Sequence, residues 1–179
     1  MKLGVLTSNF RFYYRMLTLL KKMDLSFYSL TAGDNLKGYD IIFSDEVTSG
    51  DNVIVTDGED EFRIKQLIFN RNSSRITVGI DPGPSPGIAT LADSVVIDKR
   101  NLYDFGDLRD YVRRVHDQCT FTSFGIKIGN GDRMNRDRII RVLRGYNLTL
   151  VNEKGSSKTI KRGNDWEAAI HIALSDRLV

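Results

Sequence analysis

The chain has 179 residues, with 26 Lys and Arg against 23 Asp and Glu, two His and one Cys, for a formal charge of +3. That length allows one ordinary domain or two small ones, and 41% hydrophobic with 27% charged residues excludes intrinsic disorder. A disulfide scaffold is excluded by the single Cys119, and a zinc centre would have only Cys119, His116 and His171 to draw on; no apolar run approaches the ~18 residues of a membrane span, and Asn9 and Arg11 come too early for a secretory leader, so the expectation is a reduced, soluble, cytoplasmic protein.

Residues 2–7 read as a short buried strand, and 10–23 as a helix with Phe12, Met16, Leu19 and Leu20 on one face. Short strands follow at 26–30, 39–43 and 52–56, separated by the turn chemistry of TAGDNLKG and SDEVTSGD. A helix over 59–70 carries Phe62, Leu67, Ile68 and Phe69. Strands alternating with helices imply a mainly parallel sheet. Residues 1–72 are thus read as a small Rossmann-like α/β domain, ending in the linker NRNSS.

A second unit, 75–179, opens with the apolar strand RITVGID over 75–81. PGPSPG follows and holds all three prolines of the protein. Proline removes backbone donors and glycine permits unusual dihedrals, which makes this a sharp turn. Residues 87–92 and 94–98 read as two further strands of a meander. Then come a helix at 106–118, a strand at 121–128, a basic helix at 133–144, a strand at 147–152 and a last helix at 165–178. In the helix at 106–118, Leu108, Tyr111, Val112 and Val115 share one face, and in the basic helix Ile139, Ile140, Val142 and Leu143 supply the apolar stripe. Three meander strands leading into alternating helices and strands is the order of the RNase H-like fold, a mixed sheet flanked by helices.

The charge is unevenly placed. Residues 1–72 carry 9 basic and 10 acidic side chains, whereas 127–162 carry 10 basic and 3 acidic. A concentrated basic segment points to an anionic partner, nucleic acid being the commonest; a solvated helix face is the competing reading.

Three acids carry the functional argument. Asp81 ends a strand in VGIDPGPSPGIA, where α/β sheets place ligands, although an Asp before Pro also forms turns without any function. Glu153 ends the penultimate strand in LTLVNEKGSSK, and Asp165 opens the last helix in GNDWEAAIHIAL. Asn164 and Glu167 stand at capping-box spacing there, and the helix dipole favours an acid at that position in any case.

VGIDPGPSPGIA resembles the opening motif of the RuvC-like nucleases, the group that contains Holliday-junction resolvases and YqgF-type ribonucleases. Asp81-Pro82-Gly83 matches their Asp-x-Gly triplet, and Gly87-Ile88-Ala89 their returning strand. Asn152-Glu153-Lys154 with Ser156 and Ser157 resembles the YqgF-type Asp-Glu-Arg and Thr-Thr motif, with Asn152 replacing the first acid. Asp165, Ala168 and Ala169 match the Asp-x-x-Ala-Ala at the start of the last helix. The resolvases also carry a Glu near the end of the fourth strand; Ile128, Gly129 and Asn130 occupy that region here, which argues against a resolvase.

The resemblance implies that Asp81, Glu153 and Asp165 are catalytic ligands of Mg²⁺ or Mn²⁺. Such ions take oxygen ligands, and two of them about 4 Å apart serve phosphodiester hydrolysis. Without metal, converging carboxylates repel one another. Lys154, Lys158, Lys161 and Arg162, in the stretch between Glu153 and Asp165, would contact a DNA or RNA backbone. The alternative is a binding module on the same fold with a degraded metal site. An actin-like phosphotransferase shares the opening strand but needs two larger lobes. GNGDRM at 129–134 is a poor dinucleotide turn, since Met134 stands where a small residue belongs, and Asp132 reads as a helix cap. The oligomeric state is left open, a dimer included.

Overall fold

The computed structural model describes residues 1–152, 165–176 and 179. The chain divides into two compact units, Met1–Ile64 and Lys65–Val179.

Unit 1 alternates β1 (Leu3–Leu6), α1 (Phe10–Lys22), β2 (Phe27–Leu30), β3 (Ile41–Ser44) and β4 (Val53–Val55). All pairings are parallel, in the order β2-β1-β3-β4. β1 and β3 lie between neighbours and are buried throughout, as parallel strands covered on both faces must be. Asn9 starts α1 by accepting the Arg11 and Phe12 N–H groups on its side chain, which satisfies donors the helix cannot use. Phe12, Met16 and Leu20 form the buried stripe of α1. A helix α2 (Glu61–Asn70) follows, and the division between the units falls within it.

Unit 2 continues with β5 (Arg75–Asp81), β6 (Gly87–Ala92), β7 (Val95–Asn101), α3 (Phe105–Gln118), β8 (Ser123–Gly129), α4 (Arg133–Val142), β9 (Leu148–Val151) and α5 (Asp165–Leu174). Its sheet has the order β7-β6-β5-β8-β9. Only β6 runs against the rest, antiparallel to β5 and β7, while β5, β8 and β9 are parallel. A meander of three strands followed by two parallel crossovers, with helices on both faces, is the RNase H-like arrangement.

Pleating sends Thr77, Gly79 and Asp81 to one face of β5, and Ile76, Val78 and Ile80 to the other. α5 covers the first face: Ala169 and Ala173 pack with Ala89 and Leu91 in one buried cluster. A Cβ on Gly79 would collide with the Ala169 carbonyl and with Ala173. The helix therefore rests on the strand backbone with no side chain between. α3 covers the opposite face, where the Tyr111 and Thr90 hydroxyls lie 2.8 Å apart.

Phe62 and Ile68 of α2 are buried and Leu67 is half-buried, but Phe69 is exposed, while Lys65 and Gln66 are buried. Lys65 Nζ lies 2.5 Å from an Asp98 carboxylate oxygen, and Gln66 bonds the Thr120 backbone in both directions. In α4, Ile139 and Leu143 are fully buried, whereas Ile140 and Val142 are only half-buried.

Candidate functional site

Asp81 is the last residue of β5 and is half-buried. Pro82, next in sequence, has no N–H to extend the ladder, so the strand stops with the carboxylate at its end. Register places Asp81 beside Gly87 of β6, and Gly87 beside Asn101 of β7. These three residues share the face that α5 covers.

Gly87 is the pivot of this row. A Cβ there would strike the backbone carbonyl of Asp165 and the nitrogen of Trp166. The first turn of α5 thus begins directly over the bare middle position, between Asp81 on one side and Asn101 on the other. Asn101 Oδ1 accepts the Trp166 N–H at 3.2 Å, satisfying an orphan donor of the helix from a neighbouring strand. Lys99, two residues earlier on the same face, places its ammonium 3.8 Å from the centre of the Trp166 ring, a cation–π contact. Asp165 itself is exposed. The structure therefore brings the backbones of Asp81 and Asp165 to one end of one sheet face.

Glu153, Lys154, Lys158, Lys161 and Arg162 lie outside the described residues, as do Ser156 and Ser157. Among the described residues, no group of three His, Cys, Asp or Glu side chains is placed to hold a metal ion.

The end of β8 carries no acid. Its pairing with β5 runs to Ile128 opposite Ile80, which sets Gly129 level with Asp81. Asn130 follows and accepts a hydrogen bond from the Arg136 guanidinium. Asp132 is committed to capping α4: it accepts the Asn135 N–H at 3.1 Å and the Asn135 side-chain amide at 2.8 Å. These bonds hold its carboxyl below the usual range. On α4, Arg133, Arg138 and Arg141 are exposed, as is Arg144 just beyond it. Arg136 is instead turned toward Asn130 and Asp137, and Arg138 lies over the Phe105 ring at 4.4 Å.

A second polar cluster occupies the other face of the sheet. The Asp98 carboxylate accepts two bonds from Arg100 at 2.8 Å, the Tyr111 hydroxyl at 2.8 Å and the Lys65 ammonium at 2.5 Å. Burial alone would raise the Asp98 pKa, but the Arg100 and Lys65 cations outweigh it and hold the carboxyl below its ordinary value. Burial first, and the Asp98 charge second, push the Tyr111 hydroxyl well above its ordinary range. These bonds tie α2, β7 and α3 together. The Lys65–Asp98 and Asn101–Trp166 contacts have no local sequence signal, since each joins residues more than thirty positions apart.

No protein-family model matches this chain, and no curated protein matches it. Among solved structures, it is similar to the Argonaute of Marinitoga piezophila in complex with a 5′ OH guide RNA and target DNA, with a TM-score of 0.31 and 11% identity. The same Argonaute with the guide RNA gives 0.30 and 12%. Each alignment covers 85% of this chain and 39% of the Argonaute chain. No helix among the described residues is long and apolar enough to cross a membrane.

Proposed function

We propose that this protein is a divalent-metal-dependent nuclease that hydrolyses phosphodiester bonds in DNA or RNA. The observation that supports this reading is the docking of the start of α5 on Gly87, the register partner of Asp81. Two hard oxygen donors at one sheet end suit Mg²⁺ or Mn²⁺, with Glu153 as the third ligand. The chemistry such an ion supplies when bound is charge neutralisation at the phosphodiester and a lowered pKa for the attacking water.

The chain's own residues do the rest. Asp81 is held by strand pairing, so its position costs no reorganisation. Asn101 and Gly87 fix the first turn of α5 and with it Asp165. Lys154, Lys158, Lys161 and Arg162 would grip the nucleic-acid backbone as point charges.

One observation favours a second reading. Gly129 and Asn130 stand at the end of β8 in place of an acid, as they would in a non-catalytic module that docks nucleic acid on the same fold. Cleavage of junction, hybrid, duplex and single-stranded substrates with Mg²⁺ and Mn²⁺ separates the two. The nuclease reading predicts metal-dependent cleavage that a chelator stops and that Asp81→Asn reduces by several orders of magnitude. Binding without cleavage of any substrate, or an Asp81→Asn variant as active as wild type, leaves only the docking module.

A further inference from the structure

The outward face of α1 carries a feature that folding of unit 1 does not use. Phe12, Met16 and Leu20 bury the inner face, and Tyr13 turns sideways to meet Phe27 edge-on at 6.1 Å. Phe10 and Tyr14 do neither. They are 78% and 60% exposed, and their rings stack on each other at 6.5 Å with 26° between the planes. Two large rings four residues apart form a contiguous exposed aromatic strip, where scattered exposed apolar residues would need no explanation.

The charge carried by α1 itself has one sign, although Asp45 and Asp57 line a pocket with Arg11 and Arg15. α1 contains no acidic residue and four basic ones, Arg11, Arg15, Lys21 and Lys22. Arg15 is paired to Glu59 at 2.7 Å, and Lys22 lies 3.7 Å from Glu61. Arg11 and Lys21 are exposed and, among the described residues, neither has an acidic partner. At 100° per residue, Phe10, Arg11, Tyr14, Thr18 and Lys21 all point away from the buried stripe.

We propose that this face of α1 docks single-stranded nucleic acid, with unpaired bases stacking on Phe10 and Tyr14 and phosphates beside Arg11 and Lys21. Aromatic platforms flanked by cations bind single strands because every base has a π-face. A duplex hides those faces in its own stack and offers this helix only phosphates. A protein partner would need more apolar area than two rings, and the remaining outward residue, Thr18, adds none. The inference takes the partner's class from the proposed function but uses none of its carboxylates, so loss of the cleavage reading leaves it standing.

The test is fluorescence anisotropy of the full chain with labelled oligo(dT), oligo(U) and a duplex of equal length, across a salt series. Phe10→Ala with Tyr14→Ala should weaken both single strands by about tenfold or more. Duplex binding should stay within about twofold, and the salt slope should not change, because the rings carry no charge. Arg11→Ala with Lys21→Ala should instead flatten the log-log slope by about 1.4, since each released phosphate contributes about 0.7 on single strands. Circular dichroism of both variants should match wild type, as all four side chains are exposed. Single-strand affinity unchanged in the ring variant overturns the proposal, as does an equal loss on single strand and duplex. A ring variant that binds normally but dissociates a wild-type dimer in sedimentation assigns the face to a second copy and overturns it too. If wild type binds none of the three probes, this proposal falls together with the nucleic-acid partner.

Discussion

Replacing Gly87 with Ala should loosen the docking of the first turn of α5 on the sheet. Neither Gly87 nor Gly125 adopts a left-handed backbone, so any cost of a side chain comes from space alone. At Gly87 the new methyl would meet the Asp165 carbonyl and the Trp166 nitrogen, which are backbone atoms and cannot swing aside. At Gly125, in β8, nothing lies within 4 Å. Relief of glycine's excess entropy favours Ala by about 0.5–1 kcal/mol at either site. Overpacking a close contact costs about 1–3 kcal/mol. We therefore expect Gly125→Ala to be neutral or stabilising by about 0.5 kcal/mol, and Gly87→Ala to destabilise by about 1–2 kcal/mol, most of the overpacking cost surviving. Urea denaturation followed by tryptophan fluorescence suits the test, because the only Trp of the chain is Trp166, in the first turn of α5. Its native emission should shift in Gly87→Ala as that turn moves, and stay fixed in Gly125→Ala. Equal stabilities and identical emission spectra for the two variants would refute the docking of α5 on Gly87.

Further expectations follow from the polar contacts of unit 2. Asp98→Ala removes the carboxylate that accepts from the Lys65 ammonium, 4% exposed, and should cost about 3–5 kcal/mol in denaturation, the usual loss on breaking a buried ion pair. Lys65→Met should cost only about 1.5–3 kcal/mol, because Arg100 and Tyr111 still satisfy the carboxylate; equal costs would contradict this ordering. The Asp98 pKa is lowered on folding, so its stabilisation is present above the unfolded value of about 4 and is lost as pH falls through the lower folded value. Tyr111 is raised, so its contribution is present below the unfolded value of about 10 and lost as pH climbs beyond it toward the folded value. A stability profile flat on the acid side down to pH 2 would remove the Asp98 cluster from the explanation. Asn101→Ala should cost about 1 kcal/mol, the usual loss of a helix cap, whereas Asn101→Asp keeps the acceptor for the Trp166 N–H and should restore most of it.

The sheet of unit 2 was legible because its signals are local. The prolines and glycines after Asp81 mark a turn that only a returning strand can follow, and the run RITVGID is apolar enough to be a central strand. Hydrophobic spacing likewise located α1 and α3. What escaped were pairings of residues distant in sequence. Lys65 reads as a surface residue until Asp98 is known to face it, so the buried side of α2 is wider than its apolar residues alone mark out. β7 runs to Asn101, three residues past its expected end. Its last residues, Lys99, Arg100 and Asn101, look like a loop, yet each is engaged: Lys99 by the Trp166 ring, Arg100 by Asp98 and Asn101 by the Trp166 N–H. The acids of the candidate site were found through a motif resemblance. The importance of Gly87, the register partner of Asp81, became visible only from the close approach of α5.

The most direct test of the shared carboxylate site is an Mn²⁺ titration of the full chain read by electron paramagnetic resonance, where bound metal removes the free-ion signal. Wild type should bind Mn²⁺. Asp81→Asn and Asp165→Asn should each weaken binding by at least about tenfold, the loss that even an outer-shell partner brings. Asp110→Asn, a substitution on the exposed side of α3, should leave it unchanged. No Mn²⁺ binding in wild type, or an Asp165→Asn variant that binds as wild type does while Asp81→Asn does not, would contradict a site shared by β5 and α5.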